Sequence, residues 1–312
     1  MKVVMLAKKD WANTGWRFSK CLELLKYDVH TYKLKYTRLP HPHQMNRVKN
    51  FQGVRDQVVD ADVIHFIASE YIGLNLDMDK YKVVVNHGGS KYRRAPGKVN
   101  RLFNPFVDAS LIQCPDLLGL GALNEHLIYY PVDTDFIKPD FGLPARKLRV
   151  GHFPSSTAVK GTRTILNSIN RIRRKINYVG IGEGSNKTVG WLANLERMKA
   201  CDVIIETVRP SLKGKRYGEW GNTALEASSS GCIVITNCLS RDVYEAEYGC
   251  ELPLLVANNG PELDARLYEV LSMSADEIQN KKYELRQWAE DYHSFRPTAK
   301  RLHERIYRHF EG

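Results

Sequence analysis

The feature that most constrains the fold is a repeated alternation of short apolar runs with helix-like segments. Each run follows polar or turn residues. The runs are VVMLA at 3–7, DVIHFI at 62–67, KVVVNH at 82–87, ASLIQC at 109–114, LRVGHF at 148–153, INYVGIG at 176–182, DVIIET at 202–207 and CIVITN at 232–237. Apolar strands interleaved with helices are typical of parallel sheets covered on both faces. The pattern therefore predicts an α/β fold.

The length of the chain predicts two domains. Its 312 residues exceed the roughly 250–300 residues at which a single core stops growing. Three prolines and a glycine interrupt the periodicity in the segment that precedes the strand at 148–153. We predict one domain over 1–140 and a second over 141–290, followed by a helical segment over 291–312. Pro297 should break the helical tail that begins near residue 276.

Composition limits the setting and the partners of the protein. The six cysteines form no CxxC pair or Cys/His cluster, which favours reduced thiols in the cytoplasm over zinc or disulfides. The first apolar run is too short for a signal peptide or a membrane span. We expect a cytoplasmic protein, with a peripheral position at the inner face of a membrane left open. A formal charge of +11 favours polyanionic partners.

The most informative segment is RYGEWGNTALEASSSGCIVITN, at 216–237. A glycine-rich turn that includes Gly221 leads directly into a helix, with Asn222 or Thr223 near its N-cap. The unpaired N–H groups and the positive dipole end of such a helix bind anions, and a diphosphate is the obvious candidate. We place Glu226 on the first turn, where its carboxylate can accept hydrogen bonds from ribose hydroxyls. The alternative is that Glu226 only complements the helix dipole.

This segment resembles the donor-binding signature of the retaining glycosyltransferases of family 4. The signature has the form E-x7-E, followed by a helix of small residues and a G-x-P/I-V-I strand, and its second glutamate, which binds the nucleotide ribose, matches Glu226. The first glutamate falls on Gly218, with Glu219 displaced by one position. The resemblance makes Glu219 a candidate catalytic residue that reaches the sugar or the diphosphate. The alternative for Glu219 is an exposed surface position.

A second segment, HFPSSTAVKGTRTIL, resembles the strand-loop-Lys-Gly element of the same family. Lys160 can neutralise the departing diphosphate without a metal ion, and Ser156 lies in the loop before it. An arginine common in the family is absent, and Ser155 occupies about its position. The alternative for Lys160 is a solvated lysine at the start of a helix.

Two features of the sequence bear on metal binding and on the join between the domains. IYYPVDTDFIKP resembles the inter-domain strand and linker of family 4. It contains the D-x-D triplet Asp133-Thr134-Asp135, which in GT-A enzymes would ligate manganese. Because the triplet directly precedes the linker, we interpret it as structural and predict no metal.

In the N-terminal half, the strand at 82–87 ends in His87 and runs into Gly88, Gly89 and Ser90. A glycine turn at the end of a strand lets backbone and imidazole approach a ligand. The family carries a histidine at an equivalent strand end, near the transferred sugar, and His87 matches it. Gly15, after the first strand, resembles the family's glycine-bearing substrate loop. The alternatives are a structural histidine and a simple turn.

The resemblance implies a fold and a reaction. The fold would be GT-B, with two Rossmann-like domains facing a cleft, the acceptor in the N-terminal domain, the nucleotide-sugar in the C-terminal domain, and the last helix crossing back to the first domain. The reaction would be the retaining transfer of a sugar from a UDP-sugar or GDP-sugar, without a metal. The protein would be a monomer or a homodimer.

Two basic stretches of the N-terminal half, 31–57 and 91–101, suggest a polyanionic acceptor or an anionic surface beside it. The candidate residues are Lys33, Lys35, Arg38, Arg47, Lys91, Arg93 and Arg94. The acceptor would be a glycan or glycolipid intermediate, or else a hydroxymethylated base in phage-type duplex DNA. A solvated basic face is the plain alternative. A third possibility is a non-catalytic protein that binds nucleotide-sugar or nucleic acid.

Overall fold

The computed structural model describes residues 1–37, 41–142, 147–180, 189–212, 214–217 and 219–311. In chain order the strands in these ranges are β1 Lys2–Lys9, β2 Asp28–Lys35, β3 Asn46–Arg47, β4 Val63–Phe66, β5 Lys82–His87, β6 Ala109–Ile112, β7 Glu125–Leu127, β8 Arg149–Gly151, β9 Asn177–Tyr178, β10 Val203–Ile205, β11 Ser211–Leu212, β12 Lys215–Arg216, β13 Ile233–Thr236 and β14 Leu255–Val256. The α-helices are α1 Thr14–Leu24, α2 Arg55–Val59, α3 Gly89–Arg94, α4 Pro96–Phe103, α5 Thr157–Lys160, α6 Thr162–Ile172, α7 Trp191–Lys199, α8 Asn222–Ser229, α9 Arg241–Tyr248, α10 Gly260–Ser272, α11 Ala275–Trp288 and α12 Phe295–Arg305.

The chain folds into two compact units. Unit 1 comprises Met1–Pro131 and Ser294–Gly312, and unit 2 comprises Val132–His293. Within the described ranges, no helix is both long enough and apolar enough to cross a membrane.

The sheet of unit 1 has the order β3-β2-β1-β4-β5-β6-β7, and each neighbouring pair is parallel. Val3 to Ala7 of β1 are fully excluded from solvent, as expected for a central strand covered on both faces. The chain first adds β2 and β3 on one side of β1 and then returns to the other side with β4. In such sheets the crevice at the carboxyl ends of the strands, beside this switch point, is the usual ligand site.

Helix α12 belongs to unit 1 although it lies at the end of the chain. Its buried residues Ala299 and Leu302 join the apolar cluster that contains Phe18 and Leu22 of α1. The helical tail is interrupted before α12 by a π-helical turn at Ala289–His293. The predicted break at Pro297 is therefore wrong by several residues. Pro297 lies in the first turn of α12, where its missing N–H would have had no helical partner.

The sheet of unit 2 has the order β14-β13-β10-β8-β9 and is also parallel throughout. Its switch point lies between β8 and β10. At the amino end of β10, the buried Asp202 accepts a hydrogen bond from Lys282 at 2.7 Å and one from the backbone N–H of Arg149 at 2.9 Å. A short antiparallel hairpin, β11-β12, precedes α8.

Candidate functional site

The amino end of α8 lies at the carboxyl edge of the unit 2 sheet. Gly221 is its N-cap residue in an extended conformation, without a capping side chain, and Asn222 and Thr223 are the first two residues of the helix. The structure corrects the sequence prediction for Glu226, which is the fifth residue of α8 and so lies on the second turn. The first turn contains no acidic residue.

A carboxylate that the sequence analysis missed, Glu206, lies directly after β10 at this edge. Its side chain is 1% exposed. It accepts three hydrogen bonds: from Lys160 Nζ at 3.0 Å, from the backbone N–H of Gly221 at 3.2 Å, and from Thr236 Oγ1 at 3.2 Å. Glu206 therefore joins three segments of unit 2 that are distant in sequence.

Lys160 is the last residue of α5, which follows β8, and its side chain is 22% exposed. Ser156 is the N-cap residue of α5, and its carbonyl accepts the backbone N–H of Lys160 at 3.1 Å. The chain then turns at Gly161, whose φ is +69°. A Cβ at Gly161 would lie 2.5 Å from the carbonyl oxygen of Val208, so only glycine fits there.

The strand end that leads to Lys160 carries a buried histidine, His152. Its Nδ1 lies 2.8 Å from the carbonyl oxygen of Ile205 and its Nε2 lies 2.8 Å from Thr162 Oγ1. Burial lowers the pKa of His152 to about 4, so its imidazole is neutral near pH 7. Both ring nitrogens are engaged, which fits a role in joining β8, β10 and α6.

Glu226 is buried, with 6% of its surface exposed. Its Oε1 accepts a hydrogen bond of 2.9 Å from the indole N–H of Trp191, the first residue of α7. Trp191 in turn stacks on Phe136, with ring centroids 5.7 Å apart. The indole thus orients a carboxylate that lies one helical turn beyond the start of α8.

Glu219 is also buried and is not the exposed side chain that the alternative reading allowed. Its Oε2 accepts the backbone N–H of Leu239 at 2.8 Å, and its Oε1 accepts hydrogen bonds from Arg216 and Ser240 Oγ, each at 3.0 Å. These contacts tie the segment before α8 to the start of α9.

In unit 1, His87 ends β5 and is 1% exposed. Its Nδ1 lies 3.0 Å from Ser69 Oγ, and its ring stacks on that of Tyr92 at 4.2 Å. Burial lowers the pKa of His87 to about 3, so the imidazole is neutral. A Cβ at Gly88 would lie 2.0 Å from Gln113 Oε1, so a larger residue there would require the buried Gln113 side chain to move.

Gly15 is the second residue of α1, and a Cβ there would lie 2.4 Å from the sulfur of Met45. Its backbone N–H donates to Asp10 Oδ1 at 2.7 Å, and the N–H of Trp16 donates to Asp10 Oδ2 at 3.3 Å. Asp10 therefore already occupies the amino end of α1. Burial raises its pKa to about 6, against the opposing effect of these hydrogen bonds.

The basic candidates of unit 1 divide into two groups. Lys33 is 1% exposed and donates to Gln44. Arg93 forms a bidentate pair with Asp116, whose side chain is 1% exposed. The other described candidates are exposed at the surface: Lys35, Arg47, Lys91 and Arg94. The guanidinium of Arg47 lies 4.3 Å from the ring centre of Tyr36. Arg38 lies outside the described residues.

The D-x-D triplet has structural partners. Asp133 Oδ1 accepts the backbone N–H of Phe136 at 2.9 Å, and the carbonyl of Thr134 accepts a hydrogen bond from Arg286 at 2.8 Å. Among the described residues, no group of three or more His, Cys, Asp or Glu side chains is arranged to hold a metal ion.

Within unit 2, the structure brings Lys160 and Gly221 together through Glu206, with Asn222 and Thr223 adjoining. Within unit 1, Gly88, which follows His87 directly in the sequence, lies beside Gln113. The sequence contained one signal for Glu206: an acidic residue directly after an apolar strand, as in DVIIET.

Solved structures similar to this one share its fold over nearly the whole chain. Anabaena Alr3699/HepE in complex with UDP-glucose has a TM-score of 0.65 and 11% identity, covering 99% of this chain and 100% of that one. AviGT4, a glycosyltransferase involved in avilamycin A biosynthesis, has a TM-score of 0.61 and 14% identity, covering 100% and 98%. WaaG, a glycosyltransferase involved in lipopolysaccharide biosynthesis, has a TM-score of 0.60 and 14% identity, covering 96% and 98%.

No protein-family model matches the sequence, and no curated protein is similar to it in sequence. At these identities the likeness shows the fold, which is the α/β GT-B fold with Rossmann-like units. The fold class predicted from the sequence is therefore confirmed.

Proposed function

We propose that this protein is a glycosyltransferase that moves a sugar from a nucleotide-sugar donor to an acceptor hydroxyl. The observation that carries the proposal is the convergence of Lys160, Glu206 and the amino end of α8 at the switch point of the unit 2 sheet. A lysine ammonium beside the amino end of a helix is a suitable arrangement for binding a diphosphate. The fold shared with Alr3699/HepE, which was crystallised with UDP and with UDP-glucose, supports a nucleotide-sugar as the ligand.

The proposed donor is a UDP-sugar or GDP-sugar bound in unit 2. The backbone N–H groups of Asn222 and Thr223 and the ammonium of Lys160 would stabilise the negative charge that develops on the departing diphosphate. Glu226, oriented by Trp191, would accept hydrogen bonds from the ribose hydroxyls. We propose that this stabilisation needs no metal ion.

The proposed reaction is retaining, as in family 4. The acceptor oxygen forms its bond to the anomeric carbon on the face from which the phosphate oxygen departs, and the proton of the acceptor hydroxyl passes to the leaving phosphate. No enzyme nucleophile is then required. The work of the protein is to position both substrates and stabilise the leaving charge. His87, neutral and held by Ser69, would lie near the transferred sugar.

We assign acceptor binding to unit 1 and propose an anionic glycan or glycolipid. The exposed side chains of Lys35, Arg47, Lys91 and Arg94 support this assignment, since they can contact phosphate or carboxylate groups at a surface. The likeness to WaaG, which is involved in lipopolysaccharide biosynthesis, is in keeping with a glycan acceptor.

The donor side is tested by incubating the protein with a panel of UDP-sugars and GDP-sugars and measuring nucleotide release. We expect release with at least one donor, and we expect Lys160→Ala to lower kcat by about a hundredfold to a thousandfold, as loss of one electrostatic contact to a transition state does. Lys199→Ala is the matched control, because Lys199 is a similarly exposed lysine paired with Glu196 elsewhere in unit 2. No turnover of any donor, or equal activity in both variants, would refute the proposal.

The acceptor side is tested by binding to anionic liposomes and to duplex DNA over a range of salt concentrations. We expect retention on the liposomes, weakened by Lys35→Glu and Arg47→Glu. Salt-sensitive binding to DNA without liposome binding would instead favour a DNA glycosyltransferase. Donor binding without transfer to any acceptor would favour a non-catalytic nucleotide-sugar binding protein.

A further inference from the structure

Glu206 places a carboxylate next to Lys160, the cation that we propose stabilises the leaving diphosphate. Glu206 has the same sign of charge as the proposed ligand, and its Oε1 lies 3.0 Å from Lys160 Nζ. It also occupies the N–H of Gly221, one of the groups at the amino end of α8. In the absence of donor, Glu206 therefore neutralises part of the proposed diphosphate site.

The hydrogen bonds of Glu206 determine where its carboxylate lies and how many Lys160 donors it uses. Its side chain is 1% exposed and its two oxygens accept from Lys160, Gly221 and Thr236, so its position is fixed from three directions. Lys160 is 22% exposed, and an ammonium has three donors, of which Glu206 takes one. Within the part of the chain that the structure describes, no second acceptor meets Lys160 Nζ, so its remaining donors can reach a ligand from the solvent side.

We infer that Glu206 is the positioning residue of the donor site: it holds the ammonium of Lys160 against the amino end of α8. The inference rests on the proposed function and adds a residue to the same site. A flexible lysine loses side-chain entropy when it binds a diphosphate, and a fixed partner removes that cost before the donor arrives. The opposing effect is repulsion between the carboxylate and the diphosphate, which weakens ground-state binding.

Because Glu206 both positions Lys160 and repels the diphosphate, removing its charge should raise the affinity for UDP and lower kcat. In Glu206→Gln, Lys160 loses a competing anion, so we expect the Kd for UDP to fall about tenfold, a modest value for one charge a few ångströms away. The same change leaves Lys160 less well held, and kcat should fall by about a hundredfold, as misplacement of a catalytic group does.

Asp202→Asn is the matched control. Asp202 is a buried carboxylate that pairs with Lys282 and accepts a backbone N–H, as Glu206 does, but it lies at the opposite end of β10. We expect Asp202→Asn to destabilise unit 2 without changing the Kd for UDP or the kcat of the folded protein. Thr236→Val serves as a milder second variant, because it removes one donor to Glu206 and keeps the charge. It should lower kcat severalfold with an unchanged Kd.

The experiment measures UDP binding by calorimetry and kcat and KM with the best donor, for wild type and the three variants. Tighter UDP binding together with a lower kcat in Glu206→Gln supports the inference. Unchanged values per folded molecule in that variant would make Glu206 purely structural, and a joint loss of affinity and rate would make it a direct donor ligand; either result overturns the inference. Wild-type turnover separates these results from failure of the proposed function, since a wild type without donor turnover defeats both.

Discussion

The substitution Gly161→Ala tests whether the chain path after Lys160 is fixed by a steric contact. Gly161 has φ +69°, a conformation that costs an alanine about 1–2 kcal/mol. The added Cβ would also lie 2.5 Å from the carbonyl oxygen of Val208 and 3.0 Å from its carbonyl carbon. These are backbone atoms, so the segment that follows β10 must shift, at a further cost of about 1–3 kcal/mol. We expect Gly161→Ala to lower the free energy of unfolding of unit 2 by about 2–5 kcal/mol.

Gly249→Ala is the control that separates the two contributions. Gly249 has φ +65°, but no heavy atom lies within 4 Å of a Cβ built there. It should therefore show only the conformational cost, and the effect of alanine on the unfolded chain cancels between the two variants. We expect Gly161→Ala to be less stable than Gly249→Ala by about 1–3 kcal/mol.

The assay is urea denaturation, monitored through the hydrogen exchange of the β10 amides because these report on unit 2 alone. Because the N–H of Val208 donates to the carbonyl of Lys160 at 3.2 Å, the shift should also move Lys160 and lower kcat with a donor. Equal stabilities of the two variants would refute the steric argument. Equal kcat values, with unequal stabilities, would refute its link to Lys160.

Two further predictions concern buried carboxylates. Since burial raises the pKa of Asp10 to about 6, the stability that this group contributes is full below pH 4 and is lost as the pH rises through 6. Measured by urea denaturation, the free energy of unfolding of wild type, relative to that of Asp10→Asn, should fall by about 2 kcal/mol between pH 4.5 and 7.5. A rise over this range would contradict the prediction. Trp191→Phe removes the N–H donated to Glu226 and should lower the free energy of unfolding of unit 2 by about 1.5–3 kcal/mol. A decrease below about 0.5 kcal/mol would show that the hydrogen bond from Trp191 does not hold the carboxylate.

The strands were predictable because burial on both faces leaves a direct record in the sequence. Runs such as VVMLA and CIVITN have no polar alternation, and both are central, fully buried strands of parallel sheets. Helix bounds were less predictable. The position of Glu226 was misjudged by one turn because an extended Gly221 and a helix start at Asn222 cannot be told from a helix that starts two residues later.

Whether each basic side chain is exposed, or buried and paired, was only partly predictable. Lys33 was counted with the exposed lysines of its stretch, yet it lies on the inward face of β2 with Thr31, two residues before it. The period of two was present in the sequence, but a lysine on a buried face contradicts the usual preference for apolar residues there. Arg93 pairs with Asp116, 23 residues further along the chain, and no local pattern indicates that contact.

The same limit explains why Glu206 was missed and why it matters for the charge of the site. Its partners Lys160 and Gly221 are 46 and 15 residues away, so only the folded sheet brings them together. Arg216 is paired in a similar way with the buried Glu219. Lys160 and Arg216, two cations near the start of α8, therefore already have carboxylate partners, although the chain as a whole carries a formal charge of +11. It follows that a diphosphate at α8 would be attracted by helix amides and by the remaining donors of Lys160, while long-range attraction of a polyanion would come from the exposed lysines and arginines of unit 1.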